Sequence, residues 1–300
     1  RDVTGVQTCA LPILSISLVQ AADSQNLESA KSSQIQLEAK TVEVKPSEPK
    51  ADSSVLKIET GSAKLNLLLQ TWYIDDSTAT AAKNTFRARR AEIKMSGNLN
   101  ADSRWFVMID PAKSLKAGPV ASNNDNKILQ DFGGTIQPLP GFELTAGQMK
   151  IPTIAESLDP SSDLPLPERS ILARTYGDKR QLGLQASYKE VKWKITSMYS
   201  NGGSANTDDT TTAKDVFVRV EFNPFSGLSF GGWVGANDFI FSDNGKWGLN
   251  FRWKGESEMA RFELAHSDDT VSGAKKKSDG YVAEVGYSVM SQLQPVLRFE

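Results

Sequence analysis

Arg87, Arg89, Arg90 and Lys94 crowd one segment of alternating hydropathy, and Lys150, Arg169, Arg174, Lys179 and Arg180 lie in or beside one long polar loop. Basic groups so grouped, with no nucleophile or general base among them, suit electrostatic work on dissolved ions. A narrow passage lined with Arg and Lys concentrates anions and repels cations. The planar guanidinium fork donates paired hydrogen bonds to oxyanions such as phosphate. Each basic residue has a second reading, in which it pairs with Glu92, Asp110, Asp163 or Glu168 and braces the loop against a wall; Arg169 leans toward that role. Arg87 and Arg89 share one parity, whereas Arg90, Glu92 and Lys94 share the other. A β-bulge at Arg89–Arg90 would bring all of them to one face.

Other chemistries find little support. His266 is the only histidine and Cys9 the only cysteine, so no His/Cys cluster could hold zinc. Asp208–Asp209 and Asp268–Asp269 are acidic pairs in polar stretches and read as solvated loop acid before calcium ligands. No glycine-rich strand-to-helix phosphate motif appears. The expectation is a protein that is not an enzyme and carries no cofactor or metal.

The elements that would position the basic residues are strands. Period-2 patterning places them at 64–73, 86–99, 105–110, 128–137, 142–151, 181–188, 191–199, 216–222, 228–235, 247–254, 259–266 and 281–289. That is roughly twelve strands, joined by short and long connections in turn, as in transmembrane barrels. Residues 201–214 and 267–279 read as long polar loops, and roughly thirty residues between 151 and 181 form a loop too long to be idle. Trp247, Leu249, Phe251 and Trp253 alternate with Gly248, Asn250, Arg252 and Lys254, giving an apolar face with aromatics at both ends. A soluble sandwich strand can look the same; the loop rhythm, and the edges that barrel closure removes, favour the membrane. Hydrophobic content is 39% with no long apolar run, which excludes helical spans but not a barrel. Net charge is −2, from 34 basic and 36 acidic side chains, unlike a nucleic-acid binder.

Residues 3–13 read VTGVQTCALPI, the in-frame translation of a common sequencing adapter, so residues 1–13 are expected not to be protein sequence; the competing reading is a genuine N-terminus with one thiol. Residues 14–22 end in Val19–Gln20–Ala21–Ala22, the tail of a secretory signal peptide. Residues 23–60 have a disordered or partly helical linker composition, and residues 61–300 are the barrel. Val296–Leu297–Arg298–Phe299–Glu300 reads as the first half of a strand, so a longer natural chain is expected.

Several motifs occur in order. Phe86–Arg87–Ala88–Arg89–Arg90–Ala91–Glu92–Ile93 is followed by Trp105–Phe106–Val107–Met108–Ile109–Asp110, and then by Gly147–Gln148–Met149–Lys150–Ile151–Pro152. Glu168–Arg169–Ser170 and Gly177–Asp178–Lys179–Arg180 complete the series. In that order they resemble the phosphate-selective porins O and P of bacterial outer membranes, across residues 86–185. The resemblance implies an all-β fold, an antiparallel transmembrane β-barrel of about sixteen strands with an inward-folded constriction loop. It also implies a homotrimer in the outer membrane of a Gram-negative-type cell, in contact with lipid and passing small anionic solutes, with no nucleic-acid partner. The pore-lining candidates are Arg87, Arg89, Arg90, Lys94, Lys150, Arg169, Arg174, Lys179 and Arg180. The acidic loop residues temper phosphate specificity, so an anion-preferring or weakly selective diffusion porin is expected. The alternative is a secreted β-rich surface or carbohydrate-binding module, in which Trp and Tyr would line one groove.

Overall fold

Alternating sequence becomes alternating burial. In the computed structural model, residues 10–16, 63–75, 84–115, 127–209, 212–237, 245–271, 274–290 and 293–300 are described. Most of the expected adapter, signal remnant and linker lies outside the described residues.

One antiparallel sheet of fourteen strands runs in strict chain order. The strands are β1 (Ala10–Ile16), β2 (Lys64–Asp75), β3 (Asn84–Asn98), β4 (Ser103–Ile109), β5 (Leu129–Leu139), β6 (Phe142–Lys150) and β7 (Arg180–Lys189). After them come β8 (Trp193–Ser200), β9 (Asp215–Phe225), β10 (Leu228–Ala236), β11 (Gly245–Lys254), β12 (Glu258–Val271), β13 (Ala274–Tyr287) and β14 (Val296–Phe299). All twelve strands expected from patterning are present, and the short β14 falls where the sequence reads as the first half of a strand; the addition is β1. Among the described residues no ladder joins β14 to β1, so the sheet is not closed.

The sheet curls strongly. Eleven steps separate β3 from β14, which would be about 50 Å in a flat sheet. Yet Arg89 of β3 and Arg298 of β14 both bond to Glu168, the first to its carboxylate and the second to its carbonyl. Strand lengths fit a tilted crossing of a bilayer, which takes about ten residues: β5 and β9 have 11, β7 and β11 have 10.

The two faces are the reverse of a soluble protein's. Leu65, Leu67, Leu69, Leu184, Ile195, Val234, Leu249, Phe262, Tyr281 and Val285 are exposed on the convex side. Gln181, Arg219, Asn250, Arg261, Glu263 and Glu284 are buried on the concave side. Trp193 at 50% and Trp247 at 43% exposure stand at opposite strand ends, outward, where interfacial girdles sit. Trp193 stacks on Phe222 with centroids 4.2 Å apart, and Phe225 meets Trp253 edge-on at 6.3 Å, near the short turns. A face of this size and apolarity needs lipid as its solvent. None of the described helices is long and apolar enough to cross a membrane; strands of this length, closed in a barrel, can.

Connections alternate as expected, with one correction. The polar stretch 267–279 is not a long loop but the extended end of the β12–β13 hairpin, paired as far as Val271↔Ala274. Asp268 and Asp269 face Lys277 and Lys276, and Lys246 of β11 approaches Asp269 at 3.2 Å. Cross-strand opposite charges support a ladder that is wet on both faces, so polar composition there does not mark a turn.

Gly147, in the Gly-Gln-Met-Lys motif, has φ +145°, and a Cβ there would lie 2.0 Å from the Phe132 carbonyl oxygen. Gly147→Val should therefore separate β5 from β6, with backbone strain of about 1–3 kcal/mol before the steric clash is added. Unheated gel mobility should show a reduced folded fraction, whereas Gly203→Ala, with nothing within 4 Å of its added Cβ, should match the parent.

Candidate functional site: a constriction on the concave face

Residues 151–179 leave β6 and lie across the concave face. The segment is not structureless: it contains α1 (Ala155–Leu158), a 3-10 turn at Ser161–Asp163 and α2 (Ile171–Tyr176). Ser170 caps α2, its hydroxyl accepting from the Ala173 amide at 3.0 Å. The loop's apolar residues Ile154, Leu172 and Ala173 pack on Trp233, Ala265 and Val282 of the inner wall, with Tyr176 beside them. Met149, Ile151, Met198 and Phe217 form a second apolar seat where the loop departs. One side of the loop is thus fixed to β9–β13.

Charge completes that attachment. Glu156, fully buried, accepts from the Ser170 amide at 3.1 Å and meets Arg261 and Arg298, each at 3.1 Å. Glu284 pairs with the same two arginines, closing a ring of alternating charge. Glu263 receives the Ala155 and Glu156 amides at 2.8 and 2.9 Å, the free N–H groups at the start of α1. Asp159 binds Arg252 with both oxygens, at 2.9 and 3.0 Å.

The opposite side of the loop faces β2–β5 across a polar cavity of about 460 Å³. Here β3 bulges: Gln70 pairs with Arg90 and Thr71 with Ala88, leaving Arg89 as the extra residue. The bulge puts Arg89, Arg90 and Lys94 together on the concave side, with Arg87 at the same parity as Arg89, while Phe86 points out. Arg89 grips both oxygens of Glu168, with its guanidinium carbon 5.8 Å from the centre of the Trp72 ring. Arg90 is buried and bonds Gln70 and the Pro167 carbonyl. Glu92 accepts from Ser161 of the loop at 2.8 Å.

The remaining expected residues divide by environment. Lys150 reaches Asp178 at 3.4 Å and the Ser157 carbonyl. Arg180 pairs with Asp131 at 2.7 Å. Arg169 is buried inside the loop and donates to the Asp159 carbonyl at 2.7 Å, holding the turn together. Arg174 is exposed and touches Glu168. Lys179, with Arg180 and Lys113, lines a second recess of about 370 Å³ near Gly202. Lys94 and Asp163 are exposed into the main cavity. The structure therefore gathers Arg89, Arg90, Lys94, Lys150, Arg169 and Arg180 around one space and leaves Arg87, Arg174 and Lys179 at its margins.

Arg219, Arg252, Arg261 and Arg298, with Glu263 and Glu284, were not among the candidates. Their signal was parity: each occupies an inward position on its strand, opposite an outward apolar neighbour. Among the described residues no group of three or more His, Cys, Asp or Glu is placed to hold a metal.

Loop electrostatics follow from these pairings. Burial pushes the Glu168 carboxyl up, but the hydrogen bond and charge of Arg89, with the charges of Arg90 and Arg174, outweigh it and hold the group below the ordinary range. Desolvation acts likewise on Asp178, where Lys150, Arg169 and Arg180 prevail and hold it well below. Lys179 is lowered by desolvation and by Lys246, against the opposing charges of Asp269 and Asp215.

A family model described as phosphate-selective porin O and P matches residues 70–231. No curated protein matches the chain. Among solved structures, a triple mutant of Rhodopseudomonas blastica porin is 9% identical with a TM-score of 0.39, over 79% of this chain and 81% of that one. Pseudomonas aeruginosa OccK11 is 11% identical with a TM-score of 0.37, over 76% of this chain and 57% of its own.

Removing the Glu156 carboxylate (Glu156→Ala) leaves Arg261 and Arg298 to share Glu284, with Asp159 and Glu300 at 3.6 and 3.5 Å beyond, a change that should cost up to about 3–5 kcal/mol. Limited proteolysis should then cut the segment between Ile154 and Tyr176, which the parent protects. Acid should act on the other side of the loop. A depressed folded-state pKa means that the Glu168 and Asp178 contributions are complete above the ordinary carboxylate value and are lost as pH falls through the folded one. Channel conductance should hold steady through the ordinary carboxylate range and change only at lower pH, as Glu168 and Asp178 take up protons, and Glu168→Gln should show at pH 7 the share of that change that Glu168 carries.

Proposed function

This chain belongs to the phosphate-selective porin O and P family, and on that premise we propose that it is an outer-membrane diffusion channel with a modest preference for small anions. The observation that carries this reading is the polar, loop-narrowed space inside a sheet whose outer face is apolar. Water fills such a space, and ions cross it without shedding their hydration into lipid.

The preference is modest because charge nearly balances. Seven basic and six acidic side chains line the cavity, and most are paired across it or along its wall. Pairing converts a charge into a dipole, whose potential falls off faster with distance. Arg89, Arg90 and Arg180 hold the walls in register and still offer N–H edges to a passing oxyanion. Phosphate is one such oxyanion; a dedicated phosphate site would call for guanidinium groups not already occupied by carboxylates. A homotrimer embedded in outer-membrane lipid belongs to the same reading and rests on the family.

A planar bilayer under a salt gradient tests the proposal. The expected zero-current potential favours the anion, with a permeability ratio of a few-fold as befits a nearly neutral lumen. Folded protein that conducts no current would overturn the channel and favour the binding-module alternative; a cation-preferring current would overturn the anion preference alone.

A further inference from the structure

Selectivity in a paired lumen falls to whatever charge stays unpaired and wet. Around the cavity, Arg89 is bound by Glu168, Arg180 by Asp131, and Lys150 by Asp178. Arg90 lies between Glu92 and Glu168, each at 3.7 Å. Arg169 is buried behind the loop backbone. Asp110 is buried and spends its Oδ1 on the Ala91 and Ala112 amides, and Asp159 is taken by Arg252.

Two groups differ. Lys94 is exposed on β3 and makes no ion pair or hydrogen bond among the described residues. Asp163 is exposed on the loop's 3-10 turn, and the only described partner of its carboxylate is the adjacent Ser162 hydroxyl at 2.8 Å. They border the same space, one on the wall and one on the loop.

We propose that Lys94 is the residue that sets the sign of ion selectivity in this channel, with Asp163 on the facing loop opposing it, while the arginines of the cavity act as braces. The inference rests on the channel reading and assigns its selectivity to one side chain. A mobile ion interacts with Lys94 at full charge and with the braces only through their dipoles. A unit charge about 6 Å from an ion in water changes the local ion concentration about threefold. Because anion and cation respond oppositely, the permeability ratio shifts by up to about tenfold.

The test is the zero-current potential of the parent and of Lys94→Gln, Lys94→Glu and Asp163→Asn in planar bilayers. The expected order of anion preference is Asp163→Asn above the parent, the parent above Lys94→Gln, and Lys94→Glu preferring cations. Lys94→Cys adds a readout independent of folding: a negatively charged thiosulfonate applied to open channels should move the ratio toward cations, and a positively charged one should restore anion preference. A conducting parent whose ratio is unmoved by the Lys94 substitutions, or by modification of Lys94→Cys confirmed by mass, overturns the assignment and leaves the channel standing. A parent that does not conduct removes the channel itself, so the two failures are distinct.

Discussion

The interior of this molecule depends on one carboxylate. Glu156 sits where loop and wall meet, and two arginines from β12 and β14, strands far along the chain from the loop, converge on it. A buried charge is tolerable only when fully compensated, so Glu156 requires Arg261 and Arg298, and these in turn require Glu284. The ring fixes α1 and, through Ser170, the start of α2. Each partner is also a wall residue, so the contacts that join β12 to β14 also set the loop's position.

That arrangement gives the loop two unlike sides. Toward β9–β13 it is bound by apolar packing as well as by charge, with Trp233 at 4% exposure as the centre of the apolar seat. Toward β2–β5 it is held by polar contacts alone, chiefly Glu168 and Ser161, and the open space remains there. An apolar patch inside a polar lumen is thus an anchor that decides on which side the water runs.

Much of this was legible in the sequence. Period 2 places the strands because lipid and lumen are solvents of opposite polarity, and the irregular parity at Arg89–Arg90 marks a bulge because two inward arginines cannot otherwise be neighbours. The order of motifs from Phe86 to Arg180 carries the family. Arg261, Glu284 and Arg298 are register partners on the neighbouring strands β12, β13 and β14, but the ring around Glu156 was not legible, because nothing local says that the loop folds back to place Glu156 against them. Trp233 shares an alternating strand with outward residues, and nothing local says that it faces a loop rather than lipid. The hairpin at Asp268–Lys277 was missed because composition cannot separate a wet strand from a loop; cross-strand charge pairing was the available cue.

The loop's contacts also impose an order of events on assembly. Its amides bind Glu263 more than a hundred positions later in the chain, and Glu156 waits on Arg298, 142 residues away. Contacts of such long sequence separation form late, since the closure entropy of the intervening chain must be met first. The strands must therefore be laid down and curled before the loop has anything to seat against. The nascent barrel is wide, and it narrows only when the wall from β12 to β14 stands behind the loop.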